Sequence, residues 1–412
     1  MKSQLTALAL TAMLLPAFAE PASAARTTPT LRWKVSSLEP SKSVKLSTLA
    51  TTNSRGVKHW SVKGSCQIRG TRLVTKSSGS CSVTLRIRAT GTFAARTSQR
   101  KFVIKKKVVA AMYDPYAGTK EGSSPSGTKS EGTLTTSDGR TRHYRTYVPA
   151  TLGTDAVPLL IGLHGGLGTS AQFEANSGFN NLAESNGFIV VYPDGIGNQV
   201  DGSGFQTWNG GYCCGPAQAQ QVNDVEFISK VIDEMSAQFT IDPKRVFVAG
   251  HSNGGILAYL LACRLADKIA AIGVQAGSNV VEDCTPSLPV SVIHIHGSAD
   301  SNMPISGGKG SGLSNTIFAA ARSAVDAMVS AVGAAPTVEA GAMASNPDVT
   351  SLTWTRSGTN IQVRLVTVAS ATHAWMGHPA QSSASESYVG KPYPNFDSSR
   401  AIWSFLSSHP RA

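Results

Sequence analysis

Between residues 30 and 109 hydrophobic and polar positions alternate in short runs. Val83, Leu85 and Ile87 fall on one side of an extended chain and Thr84, Arg86 and Arg88 on the other, the period of two that a half-buried strand requires. Residues 31–35, 60–62 and 102–104 repeat the pattern, separated by turn-rich pieces such as 76–80. This much short-strand pattern predicts a small all-β sandwich over residues 25–110. Residues 111–130 hold a Gly/Ser/Pro cluster with little apolar content and read as a linker. From 131 to 412 the pattern changes. Residues 142–148, 159–163, 189–192, 246–249 and 290–295 are strand-like, several apolar at every position, as in a sheet covered on both faces. Val225, Ile228, Val231, Ile232, Met235 and Phe239 recur at helical spacing, and 256–266, 317–332 and 400–407 predict further helices. Strands alternating with helices imply an α/β domain with a mostly parallel sheet.

The chain has 412 residues, 41% hydrophobic and 15% charged, enough for two globular domains. No apolar run reaches the roughly 18 residues of a membrane helix, so no integral membrane segment is expected. Residues 1–24 read as an export signal: Lys2, an apolar stretch from Leu5 to Phe18, and a cleavage site at Ala22-Ser23-Ala24, with a cut after Ala19 as the competing site. The expected location is extracellular. The formal charge of +12 is unevenly placed, since residues 25–110 carry 19 Lys and Arg against the single acid Glu39, and residues 111–412 carry 17 against 23. A basic module of this kind suits an anionic envelope polymer or acidic polysaccharide, or acts as a soluble spacer. Nucleic acid is not expected, because no recognition helix or interleaved aromatic motif appears.

Six cysteines in an exported chain suggest disulfides. Cys66 and Cys81 share the basic module and pair with each other if the domains fold independently. Cys263 and Cys284 share one short segment. Adjacent Cys213 and Cys214 either bond to each other or each take one of those two. No spacing suits zinc, and no metal or cofactor is expected.

Residues 246–258 read as strand, tight turn and helix, and the turn Gly250-His251-Ser252-Asn253-Gly254 is a G-x-S-x-G. Its glycines allow a sharp turn that exposes the Ser252 hydroxyl above the sheet edge. A serine needs a positioned base, and this scaffold supplies the acid and then the histidine in chain order. Asp300 follows the strand ending in His294-Ile295-His296, and His373 lies in the loop after Val366-Thr367-Val368. His378 is the rival base. His294 and His296 read as core or supporting residues, Asp194 and Asp224 as turn or helix-start residues, and Glu282 and Asp283 follow no clear strand end. The backbone N–H of Asn253 and one from the HGG turn, Gly166 with Gly165 and Leu167 as neighbours, are the expected oxyanion donors. Trp208, Tyr212 and Trp375 are candidate substrate-binding aromatics.

These motifs carry two resemblances. LHGG at 163–166, YPDG at 192–195, TWNGGYCCGPA at 207–217 and NDVEFISKVID at 223–233 resemble extracellular polyhydroxybutyrate depolymerases and feruloyl esterases. IDPKRVFVAGHSNGG at 241–255, HIHGSAD at 294–300 and THAWMG at 372–377 continue the match, in a group that also includes acetylxylan esterases. The resemblance implies an α/β-hydrolase fold and metal-free hydrolysis of polymer-linked esters through Ser252, His373 and Asp300. Residues 311–346, rich in Ala and Gly, match no part of it. WSVKGSC at 60–66 and GSCSV at 79–83 resemble immunoglobulin-like modules of bacterial exported proteins. The rival function is a non-catalytic envelope- or polymer-binding protein that uses the basic module.

Overall fold

A computed structural model of the protein describes residues 25–35, 38, 43–76, 79–104, 111–199, 202–211, 213–278, 281, 284–312, 316–334, 338–380 and 382–412. The expected export signal, Tyr212, Glu282 and Asp283 lie outside them. The chain divides into two compact units at residues 108 and 109.

The first unit is built from short antiparallel strands. β1 (Leu31–Trp33) pairs with β3 (Ala50–Thr52). β2 (Ser43–Lys45), β6 (Arg72–Thr75) and β5 (Cys66–Arg69) form one three-stranded sheet in that order, and β4 (Lys58–Gly64), β7 (Gly79–Ile87) and β8 (Arg96–Ile104) form another. The alternation read at Val83, Leu85 and Ile87 is realised in β7, where all three are buried. Leu73, Val83, Phe102 and Ile104 meet in one core, with Trp33 edge-on to Trp60 and Phe102. The Cys66–Cys81 disulfide joins β5 to β7 and so ties the two three-stranded sheets across that core.

The second unit holds an eleven-stranded sheet. Its strands are β9 (Ala111–Met112), β10 (Thr128–Thr135), β11 (Thr141–Val148), β12 (Val157–Leu163), β13 (Ile189–Pro193), β14 (Ile241–His251), β15 (Ala271–Gln275), β16 (Ser291–Gly297), β19 (Val338–Met343), β20 (Asn346–Thr355) and β21 (Gln362–Val368). The spatial order is β10-β11-β13-β12-β14-β15-β16-β21-β20-β19-β9. The run from β13 to β21 is parallel, antiparallel pairings extend it at both sides, and β9 closes one side parallel to β19. A two-stranded ribbon, β17 (Gly308–Lys309) with β18 (Ile317–Phe318), lies outside this sheet.

Alternate residues of the parallel strands feed two separate cores. Leu159, Val248, Ile272 and Val292 face α4 (Asp224–Gln238), α5 (Asn253–Arg264) and α6 (Ala321–Ala331). Leu160, Phe247, Ile293 and Val366 face α1 (Ser170–Asn176), α2 (Phe179–Asn186) and α8 (Ser398–Ser407). Burial on both faces explains why these strands read as continuous apolar runs. Two short helices, α3 (Gly215–Ala219) and α7 (Ser383–Val389), sit in the loops beyond the strand ends. The mostly parallel sheet, with helices on both faces, is the expected α/β-hydrolase architecture.

Two expectations differ from the structure. Residues 111–130, read as a linker from composition, are held along the α/β unit. Asp397 N–H donates to Tyr116 Oη, Ser404 Oγ to the Ala117 carbonyl, and Gly127 N–H to Tyr147 Oη. Small polar residues can be fixed by hydrogen bonds, and hydropathy alone does not register those. The helix expected over 317–332 begins only at Ala321, because Ile317 and Phe318 form β18, with Phe318 buried and Ile317 exposed. A two-residue apolar step fits both periods.

Beneath the loops at one edge of the sheet lies a buried ion pair. Arg142 Nη2 is 2.7 Å from Asp224 Oδ1 and 3.0 Å from the Asp194 carbonyl, with both side chains sealed from solvent. Asp224 Oδ2 also accepts from the Asn209 N–H, so this carboxylate pins the 207–211 loop. The guanidinium lies over the Phe227 ring, and its Nε and Nη1 have no hydrogen-bond partner among the described residues. Removing the carboxylate would leave a buried cation still less satisfied. Asp224→Ala is expected to lose about 3–5 kcal/mol of stability, read from the urea midpoint. A loss below about 1 kcal/mol would contradict this account of the pair.

Candidate active site

Ser252 sits between β14 and α5 with φ 52° and ψ −115°, a backbone region that L-residues avoid. The strain is tolerated because both motif glycines admit close backbone contacts. A Cβ on Gly250 would stand 2.3 Å from the Gly254 carbonyl, and one on Gly254 would stand 2.5 Å from the carbonyls of Leu163 and His164. The turn after β12 is thereby pressed against the start of α5.

The three candidate triad residues meet in one hydrogen-bonded row. His373 Nδ1 lies 2.8 Å from Asp300 Oδ2, and its Nε2 lies 2.8 Å from Ser252 Oγ. A carboxylate only accepts, so Nδ1 carries the proton and Nε2 is free to accept from the serine hydroxyl. Asp300 Oδ1 takes the backbone N–H groups of Asn302 and Met303. Against the cost of burial, His373 and His296 hold its carboxyl far below the usual range. His378 pairs with Asp397 instead, 3.2 Å away.

Two residues hold the base loop and the nucleophile turn together. Gln275, at the end of β15, accepts the Ser252 N–H on its backbone carbonyl, donates its side-chain amide to the Ala374 carbonyl and accepts from Met376 N–H. His251 Nε2 bonds the His373 carbonyl at 2.8 Å, and burial drives its pKa down to about 3, so the ring is neutral. His164 does the same for the HGG turn. Its Nε2 accepts the Gly195 N–H, its Nδ1 bonds the Gly165 carbonyl, and burial lowers its pKa to about 4. Neither Gln275 nor His251 stands out from the sequence pattern. The signal for Gln275 is a lone polar residue closing the apolar strand Ala-Ile-Gly-Val-Gln.

The candidate oxyanion residues stand beside the nucleophile. A Cβ on Gly166 would contact Asn253 Cβ, and one on Gly165 would contact Ser252 Cβ. Leu167 is committed elsewhere, donating its N–H to the Gln206 carbonyl from a φ of 70°. Asn253 fixes the neighbouring loop through its side chain, accepting Trp208 N–H and donating to the Trp208 carbonyl.

Above these groups opens a cleft of about 640 Å³. Trp375 lines it, its indole N–H donated to Ser399 Oγ and its ring edge-on to Phe173 and Phe179. Trp208 does not line it, which corrects its expected substrate role. It is fully buried, gives its N–H to the His164 carbonyl and packs on the His164 ring, so it braces the wall from behind. The exposed apolar side chains at the mouth are Leu167, Phe205 and Tyr388, which composition did not distinguish from loop residues. Cys213 and Cys214 form a vicinal disulfide, with Cys214 on the cleft wall, and Cys263 pairs with Cys284.

Such an arrangement can deliver a serine oxygen to an electrophilic carbonyl, with a base to take its proton. Residues 142–306 match the family model described as Esterase PHB depolymerase. The chain is 35% identical over 162 residues to a bifunctional acetylxylan esterase/xylanase of Neocallimastix patriciarum, covering 39% of this chain and 22% of that protein. It is 34% identical over 161 residues to feruloyl esterase B of Piromyces equi, covering 38% and 28%. A poly(3-hydroxyalkanoate) depolymerase C of Paucimonas lemoignei is 32% identical over 132 residues, covering 32% and 30%. The chain thus spans less than a third of the length of these three relatives. Among solved structures, an acetyl xylan esterase from Aspergillus awamori aligns with a TM-score of 0.42 and 17% identity, over 58% of this chain and 94% of that one.

The buried rings make stability depend on pH. His164 and His409 are lowered to about 4 and His251 to about 3, all by burial. Between these values and the unfolded histidine pKa near 6.5, the unfolded chain takes up protons that the folded chain refuses. Their contribution is complete above about pH 6.5 and is lost as pH falls toward 4. Asp300, also lowered, adds loss in the same direction, below the usual carboxylate range. Urea midpoints measured from pH 7 to 5 are expected to fall, by up to about 1.4 kcal/mol per pH unit for each such histidine. A flat profile would overturn the neutral assignment.

Proposed function

We propose that this protein is a secreted serine carboxylic ester hydrolase acting on polymer-linked esters, either polyhydroxybutyrate-type polyester or feruloyl and acetyl esters of plant polysaccharide. The supporting observation is the Ser252–His373–Asp300 row at the floor of an open cleft rimmed by Leu167, Phe205 and Tyr388. Ser252 Oγ attacks the ester carbonyl carbon while its proton passes to His373 Nε2. The N–H groups of Asn253 and Gly166 receive the developing oxyanion. His373 then returns the proton to the leaving alcohol, and Asp300 keeps the imidazole oriented and stabilises its cationic form. Water, deprotonated by the same ring, releases the acid from the acyl-serine. Export is supported by the N-terminal pattern and by the three disulfides.

The basic unit fits adhesion to a carboxylate-bearing polysaccharide. Inward residues of β4, β7 and β8 form the core, so the opposite face presents Lys63, Ser82 and Lys101 in one row and His59, Arg86 and Thr97 in another. No acidic side chain stands among the described residues of this unit. Held on an acidic polymer, the enzyme would meet its ester substrate at high local concentration.

Two measurements test these readings. Purified protein is incubated with polyhydroxybutyrate and with feruloylated, acetylated arabinoxylan, and released acids are followed by mass spectrometry. Product from the wild type and none from Ser252→Ala is expected, and no product from either polymer or from a simple aryl ester would overturn the hydrolase reading. Separately, the whole protein is passed over immobilised polygalacturonate. Retention is expected at low salt and release near physiological or higher ionic strength, with Lys63→Glu/Arg86→Glu/Lys101→Glu released earlier. Elution of the wild type at low salt would rule out the adhesive role.

A further inference from the structure

Behind Asp300 runs a second row of buried polar groups. His294 and His296, two residues apart on β16, project to the same side, their rings nearly parallel with centroids 5.2 Å apart. Tyr259 of α5 places its hydroxyl 2.7 Å from His294 Nδ1. His294 Nε2 is 2.9 Å from His296 Nδ1. His296 Nε2 is 2.8 Å from the Met303 carbonyl and 3.4 Å from Asp300 Oδ2. All three side chains are sealed from solvent.

We propose that His296, held in its Nε2–H form by His294 and Tyr259, is the positioning residue for Asp300 in the reaction above, an inference that rests on the ester-hydrolase reading. A carbonyl and a carboxylate both accept, so the proton of a neutral His296 stands on Nε2. Its bare Nδ1 then accepts from His294 Nε2–H, whose bare Nδ1 accepts from the Tyr259 hydroxyl. One proton per ring orders the whole row toward Asp300.

The end of the row grips Asp300 in two ways. Directly, Nε2 stands 3.4 Å from Oδ2, the oxygen that also receives His373 Nδ1–H. Indirectly, His296 fixes the Met303 carbonyl, and the N–H of that residue donates to Asp300 Oδ1. The carboxylate is therefore held at both oxygens and cannot swing away from His373. The titratable groups around it are His296 and His373, with His251 facing His373 from the nucleophile turn, and His294 and Tyr259 completing the row. Burial lowers the His294 pKa well below its ordinary value. A neutral His294 hands one hydrogen bond to His296 and adds no charge of its own behind Asp300.

The test compares two substitutions in the whole protein, with p-nitrophenyl acetate as the probe. His296→Gln keeps an N–H donor where Nε2 stands, and His296→Leu removes it. For the leucine variant kcat is expected to drop on the order of 10²-fold with KM changed less than about twofold, and the glutamine variant is expected to recover most of that loss. Folding is checked by thermal melting. Equal losses in both folded variants, or a loss confined to KM, would overturn the proposal. If the leucine variant does not fold, histidine-¹⁵N NMR of the wild type decides. Nε2–H with a bare Nδ1 is expected at both His294 and His296 near pH 8, and an Nδ1–H form or a cation at His296 would overturn the proposal. A wild type that turns over no ester would sink the hydrolase reading instead, while the tautomers stay readable.

Discussion

Two backbone turns must touch for this cleft to exist. The turn after β12 and the turn between β14 and α5 approach until the carbonyls of Leu163 and His164 lie where a Cβ on Gly254 would stand. That contact is possible because β12 and β14 are parallel neighbours whose ends finish together, with Leu163 opposite Gly250. Ser252 is held at a positive φ between them, and the apolar burial of β14 and α5 offsets the local strain. The candidate oxyanion donors and the hydroxyl take their places from this contact, and Gln275 and His251 tie the base loop to it.

Around that turn the protein uses buried histidines as fixed hydrogen-bonding pieces. His164 secures the HGG turn, His251 secures the base loop, and His294 with His296 backs the acid. A neutral imidazole offers one donor and one acceptor in rigid geometry, which suits it to link two backbone segments where water is absent. Burial keeps His164, His251 and His294 neutral, so their alignment is not disturbed by charge. Asp300, in contrast, is provided with donors on both oxygens and stays ionised. The site thereby concentrates its charge at one carboxylate and distributes dipoles around it.

The two units divide the chemistry of the chain. All the excess positive charge belongs to the first, whose core is small and stapled by Cys66–Cys81. The second carries a slight excess of acid and the two large cores that hold the cleft rigid. A scaffold with apolar cores on both faces can support a strained turn, while a small basic unit can present charge with little packing behind it.

Features that depend on local periodicity and local steric need are legible in the order of residues alone. Alternation identified the β-rich unit, continuous apolar runs identified the parallel strands, and Gly250, Ser252 and Gly254 identified a turn that only glycines permit. His373 and Asp300 were legible as candidates because each follows a strand end in the order such a scaffold would use. Tertiary structure decided what depends on distant partners. Residues 111–130 look like a linker until Tyr116, Ala117 and Gly127 find their hydrogen bonds. Trp208 looks like a binding aromatic until its indole is buried against His164. Gln275, His251 and Tyr259 acquire meaning only from residues 35 to 122 positions away, because hydrogen bonds across a folded core leave no periodic trace along the chain.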